Sequence, residues 1–352
     1  MNFKESMQND IINIYTDNEQ NFKITCQNGH FEVAKFLYKI NPHIDISMNN
    51  EEIFQNTCQN GHLKLAKWLL EIKPNINISV FNELSFRSAC SNGYLQVAKF
   101  LLKIKPSINI SINDEDAFMS ACVNGYLKTA KWLYKIKPDI NISIYNEDIF
   151  RFTCKNNHLK VVKWLYKIKP DINISIMKEY AFRHACSNGH LEIAKWLYKI
   201  KPNINISIDG EYAFISACNN GHLKIAKWLL EIKPDINISI DNEYAFRFAC
   251  KNGYLAVAKW LFEIKPEINI SINNEFAFRN ACEDGFLEII KWLYEIKPNI
   301  NVSINNDEAF KNACKNNHLE VAMLLTSIYP NRYKIIKYDK NVIEYNININ
   351  LV

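Results

Sequence analysis

A strict period constrains this chain more than any other feature. Cysteine stands at Cys26, Cys58, Cys90, Cys122, Cys154, Cys186, Cys218, Cys250, Cys282 and Cys314, and every step is 32 residues. Phenylalanine keeps the same step from Phe22 to Phe310, and proline from Pro42 to Pro330. A fixed period of this size specifies a stacked array, in which each unit buries its apolar face against its neighbours. A chain of 352 residues would otherwise suggest two or three domains. The period predicts one array instead, preceded by a polar lead-in over residues 1–11, running over 12–330, and followed by a tail over 331–352.

Each unit reads as two helices and a short extended segment. In one copy, Asn242 and Glu243 precede Phe246 and Cys250, which are four apart, as are Ala245 and Ala249. That spacing gives one apolar helix face. Asn82, Asp114, Asn242 and Asn274 are expected to cap the first helix, with the acidic residue that follows each one placed in its first turn. Gly253 and its equivalents should end that helix in the left-handed region, and Asn157 and Asn317 tolerate the same conformation. The second helix is expected from Leu255 to Ile264, with Leu255, Val257, Ala258, Leu261 and Ile264 buried and Lys259 outside. Trp260 should pack between repeats. Pro266 stops the helix because it has no N–H to donate. The alternation Ile268-Asn269-Ile270-Ser271 suits a short extended finger.

Composition excludes several classes. The net charge of +5 does not by itself call for nucleic acid. The heavy use of Ile, Asn and Lys points to an A/T-rich genome. Equivalent cysteines in stacked repeats should lie roughly 8–10 Å apart, beyond the reach of about 7 Å between the Cα atoms of a disulfide. One buried thiol per repeat, in a reducing compartment, is the expectation. No apolar run approaches the ~18 residues that would span a bilayer, and Met1-Asn2-Phe3-Lys4-Glu5-Ser6 leads into polar sequence without the apolar core of a signal peptide.

The unit resembles the ankyrin repeat. Phe182 stands at the leucine of the family's Thr-Pro-Leu-His pattern, Ala185-Cys186 at Ala-Ala, Gly189-His190 at Gly-His, and Asp171-Ile172-Asn173 at Asp-Val-Asn. Tyr180-Ala181 replaces Thr-Pro, Arg183 replaces His, and Lys169-Pro170 replaces the closing Gly-Ala. The unit is also one residue shorter than the family's 33. The resemblance implies an all-α ankyrin-repeat solenoid of about ten helix-turn-helix units with short extended fingers. With the threonine cap missing, the first helix is expected to start about two residues earlier. Such Ile/Asn/Lys-rich arrays look like the ankyrin proteins of giant DNA viruses of amoebae, which would place the protein in host cytoplasm.

The periodic Cys–His pairs, such as Cys58 and His62, do not suit zinc, which needs about four ligands converging within ~2.3 Å of one point. The His is expected to bond backbone between repeats. The Asn-x-Ser sequons from Asn77 to Asn301 are expected to stitch neighbouring fingers. No P-loop, nucleophile elbow or His-Glu-x-x-His motif occurs, and no set of residues breaks the period to converge on a reaction centre. The expected protein is non-catalytic, works without a cofactor, acts as a single copy and binds a protein partner. The variable positions beside each Phe nominate the partner surface, which the resemblance puts on the concave face: Tyr180, Arg183, Tyr212, Tyr244, Arg247, Phe276 and Arg279. Tyr and Arg are enriched at binding hot spots. Two other readings are a single-stranded nucleic-acid-binding solenoid, disfavoured by the Glu recurring beside this strip, and a ubiquitin-ligase adaptor, for which residues 331–352 are short. The tail's alternation (Tyr345, Ile347, Ile349, Leu351) is expected to pack on the last repeat.

Overall fold

A computed structural model describes residues 18–339 and 342–348 of the protein. The expected lead-in, the start of the array at Ile12, and tail residues Ile349 and Leu351 lie outside the described residues. The fold divides into two compact units, one ending at Asn173 and one beginning at Ile174.

The first unit holds five helix pairs: α1 Asn18–Gln27 and α2 Phe31–Ile40, α3 Met48–Gln59 and α4 Leu63–Ile72, α5 Val80–Ser91 and α6 Leu95–Ile104, α7 Ile112–Val123 and α8 Leu127–Ile136, α9 Ile144–Lys155 and α10 Leu159–Ile168. The second holds α11 Ile176–Ser187 and α12 Leu191–Ile200, α13 Ile208–Asn219 and α14 Leu223–Ile232, α15 Ile240–Lys251 and α16 Leu255–Ile264, α17 Ile272–Glu283 and α18 Leu287–Ile296, α19 Ile304–Lys315 and α20 Leu319–Ile328. A hairpin follows, β1 Tyr333–Asp339 paired antiparallel with β2 Val342–Ile347.

The even-numbered helices form where the period placed them. In α16, Val257, Ala258 and Leu261 are buried and Lys259 is exposed, while Ile264 is 37 % exposed, so the apolar stripe ends at Leu261. Lys265 N–H donates to Leu261 O at 3.1 Å, and Pro266 cannot extend the ladder. Trp260 packs on Phe214 of the preceding repeat, with ring centroids 6.2 Å apart, and Trp292 packs on Phe246 at 6.1 Å. Phe214, Phe246 and all ten cysteines sit in the core, and the cysteines are unpaired.

The odd-numbered helices open differently from the expected Asn cap. Asp241, Asn242 and Glu243 have φ of 52, 59 and 60°, a left-handed turn of three residues, and right-handed helix follows. The same three positions are left-handed in every copy from Asn49–Glu51 to Asn305–Asp307. A non-glycine residue there costs roughly 1–2 kcal/mol, least for Asn and Asp. The middle position is accordingly Asn, Asp or Gly in every copy except Lys178. The acidic residue is not a helix-dipole carboxylate. It points inward: Glu51 accepts Ser47 Oγ at 2.7 Å and the backbone N–H of Asn77, in the next repeat, at 3.1 Å.

The Ile-Asn-Ile-Ser segments are short, and their alternation buries both isoleucines, as at Ile76 and Ile78. In most copies the asparagine side chain turns back on its own segment instead of stitching fingers. Asn77 Oδ1 accepts its own Ser79 N–H at 3.1 Å. The stitching asparagines are those that precede the helix-ending glycine: Asn60 Nδ2 donates to Gln27 O at 2.8 Å, and Asn220 Nδ2 to Ser187 O at 2.8 Å. His62 Nε2 also bonds Gln27 O, at 3.0 Å.

Candidate interaction surface

All seven nominated residues lie in the second unit, on α11, α13, α15 and α17. The left-handed turn sets their direction, because it fixes where the right-handed helix begins. Tyr180, Tyr212, Tyr244 and Phe276 each directly follow the inward-turned Glu, and all four are half-buried.

The residue four positions later shares their helix face, a spacing legible in the sequence. Those residues are His184, Ser216, Phe248 and Asn280. Tyr180 and His184 have ring centroids 4.0 Å apart, and His184 reaches Tyr212 at 6.1 Å. Tyr244 stacks on Phe248 at 4.1 Å, and Phe248 meets Phe276 at 5.4 Å. Rings from successive helices thus abut in two runs. Between the runs stands Ser216, which has no ring and donates its hydroxyl to Tyr212 O at 2.6 Å. A groove of about 330 Å³ opens there, lined by Tyr212, Ser216, Tyr244, Asp209, Gly210 and Asp241 among others.

The arginines expected on the partner surface are largely engaged by the fold itself. Arg247 is buried, its Nε donates to Asn242 O at 2.6 Å, and its Nη2 donates to Asp241 O at 3.0 Å. Burial draws its pKa below the usual guanidinium range. Arg183 binds Lys178 O and Arg279 binds Asn274 O in the same way, both at 2.6 Å. Each arginine therefore clamps the carbonyls of its own left-handed turn. The guanidinium also reaches the next helix: Arg183 lies 4.7 Å from the Tyr212 centroid and Arg247 lies 4.8 Å from that of Phe276. Contacts of this kind contribute about 0.5–2 kcal/mol each. Arg279 instead pairs with Glu308, and Arg183 adds Asp209 at 3.4 Å.

The profile of the family described as ankyrin repeats (3 copies) matches residues 58–146, 150–241, 182–274 and 246–337. The chain belongs to the ankyrin-repeat family. Among solved structures, it is similar to an ankyrin repeat family protein from Legionella pneumophila. The two are 20 % identical with a TM-score of 0.36, over 70 % of this chain and 78 % of that one. No curated protein matches. Among the described residues, no helix is long and apolar enough to cross a membrane. Where the ankyrin pattern has Thr-Pro and His, the repeats at Tyr180-Ala181 and Tyr244-Ala245 have Tyr-Ala followed by Arg183 and Arg247, and the left-handed turn those arginines clamp immediately precedes the Thr-Pro position.

Proposed function

We propose that this ankyrin array is a non-catalytic scaffold that binds a protein partner across the odd-numbered helices of its second unit. Ankyrin repeats generally mediate protein–protein interactions. The observation that carries the reading is the pair of ring runs, because they assemble from positions that vary between repeats while the framework positions recur. Tyr180, Tyr212, Tyr244 and Phe276 supply the contact area. Arg183, Arg247 and Arg279 hold the turns and rings in place. Half-buried aromatic rings lose little conformational freedom on binding, which is why they dominate hot spots. The hairpin β1–β2 serves as the C-terminal cap of the array. The protein acts as a single copy inside a cell, where reducing conditions keep its thiols free.

The test is proximity labelling in the native host with the wild type, a Y180A/Y212A/Y244A/F276A variant and a control variant changed on α14 and α16. The ring variant should lose specific partners that the control keeps, at matched thermal stability. Identical partner sets for the three proteins would overturn this surface.

A further inference from the structure

The net charge of +5 conceals a lopsided distribution. In the first unit, α6 carries Lys99 and Lys103, α8 carries Lys128, Lys131 and Lys135, and α10 carries Lys160, Lys163 and Lys167. These three helices contain no Asp, Glu or Arg. All eight lysines are exposed, and none has an ion-pair partner among the described residues. The carboxylates of the adjoining turns are already engaged, Asp139 by Lys137 at 2.9 Å and Asp171 by Lys169 at 3.2 Å.

The second unit supplies an internal control. The position of Lys135 is Lys199, Glu231, Glu263, Glu295 and Ser327 there, and the position of Lys128 is Glu192, Lys224, Ala256, Glu288 and Glu320, whereas the position of Lys131 stays lysine from Lys195 to Lys291. The even-numbered helices of that unit balance six lysines against six glutamates. The fold therefore accepts either sign at the positions of Lys128 and Lys135, while the lysine of Lys131 recurs in both units. An A/T-rich coding bias would act on both units alike, so composition does not account for the five lysines beyond the recurrent one that make the charge on α6, α8 and α10 uniform.

We infer that this face of the first unit binds the phosphate backbone of duplex nucleic acid without reading its sequence. The inference goes beyond the proposed scaffold function and uses a different surface. Lysine is a compact point charge that takes phosphate from many directions, whereas bidentate base recognition calls for arginine. A ten-residue helix is about 15 Å long. Three packed helices roughly 10 Å apart span about 20 Å, over which a duplex at one charge per ~1.7 Å presents about 12, enough to face the eight lysines. Insertion into a lipid surface would need apolar side chains, and purely electrostatic binding to anionic lipid is the outcome that the vesicle arm of the test separates. The large, exposed apolar side chains on these helices are Ile104 and Ile136, at helix ends. Trp132 and Trp164 lie against Phe86 and Phe118 at 6.2 and 6.1 Å.

The experiment is fluorescence anisotropy of the full chain with two unrelated 30-base-pair DNA duplexes from 50 to 200 mM KCl. Both duplexes should bind alike and lose about 1,000-fold or more in affinity across that range. K128Q/K131Q/K135Q should make the slope of log affinity against log salt shallower by about 3. K195Q/K224Q/K227Q, on the second unit, should leave it unchanged. Circular dichroism checks that both variants fold. Absence of binding at 50 mM, equal loss in the two variants, or retention on phosphatidylserine vesicles without retention on duplex would each overturn the inference.

Discussion

The backbone N–H of Asn77 donates to Oε1 of Glu51, 26 residues earlier, at 3.1 Å. The same bond joins Asn237 to Glu211 at 3.5 Å and Asn301 to Glu275 at 3.4 Å. Glu51 also takes the Ser47 hydroxyl, so one buried carboxylate holds its own left-handed turn and the following repeat together. Replacing it with alanine leaves both donors without that acceptor, at about 1–3 kcal/mol. Glu51→Gln retains a carbonyl oxygen and should cost less. Urea midpoints of the two variants should separate in that order. Midpoints equal to that of the wild type would mean that the carboxylate is a bystander.

Gly253 has φ of 84°, and a Cβ built there would stand 2.6 Å from Phe286 Cε1 in the next repeat. Gly253→Ala therefore meets two penalties: a left-handed backbone at about 1–2 kcal/mol, and a clash with a packed ring. Adding Phe286→Ala should relieve the second penalty and leave the first, giving a coupling above about 0.5 kcal/mol in a double-mutant cycle. Gly210 is the contrast. Its nearest neighbour to a new Cβ is Ile240 Cδ1 at 3.5 Å, and other copies of that position carry Asn. Gly210→Asn should be close to neutral in the same denaturation experiment.

Burial raises every cysteine thiol, for Cys26 and Cys314 from 9.0 to about 12. A raised folded pKa means that the native state keeps a proton the unfolded chain gives up. The contribution is intact below pH 9.0 and is lost as pH climbs toward about 12 for those two residues. Within that window each thiol removes about 1.4 kcal/mol per pH unit. Thermal melts under reducing conditions should therefore fall more steeply between pH 9 and 10.5 for the wild type than for a Cys26→Ala/Cys314→Ala variant. Parallel curves would show that the thiols are not buried as described.

Much of this fold was legible because a period multiplies weak signals. The bounds of α16, the unpaired cysteines, Trp260 between repeats and the helix-ending glycines follow from spacing, polarity and the special conformations of Gly and Pro. The left-handed turn did not follow. Asn242-Glu243 before a helix has the composition of a cap, and local chemistry alone does not separate a cap from a turn whose carboxylate is consumed one repeat later. The same blind spot covers Arg247: its position identified it, but the carbonyls it clamps exist only once the turn is formed. Of the candidate surface, the Tyr positions were visible as departures from the repeat. The His184 and Phe248 rings that join them were not nominated, although their four-residue spacing was available.

At the C-terminal end of the described array, the interrepeat bond is rebuilt with different chemistry. Asp307 replaces the recurrent Glu, and Tyr333 stands one period beyond Asn301. The Tyr333 hydroxyl donates to Asp307 Oδ1 at 2.8 Å, and Arg332 donates to the same carboxylate from Nε at 2.6 Å and Nη2 at 2.9 Å. Tyr333 is 1 % exposed and stacks on Phe310 at 4.2 Å, and Tyr345 of β2 meets the same ring edge-on at 5.3 Å. Burial, followed by the bond to Asp307, raises the Tyr333 phenol, so the hydroxyl is a donor throughout the physiological range. If the hairpin is the array's cap, Tyr333→Ala should cost about 3–5 kcal/mol locally, and Tyr333→Phe, which loses one hydrogen bond to a charged group, about 1.5–3. Because repeats feel mainly their neighbours, the loss should appear as faster amide exchange in α19, α20 and the hairpin while α15 and α16 keep their protection. Uniform acceleration through the second unit would instead mean that this unit opens as a single body, and that the hairpin does not guard its end.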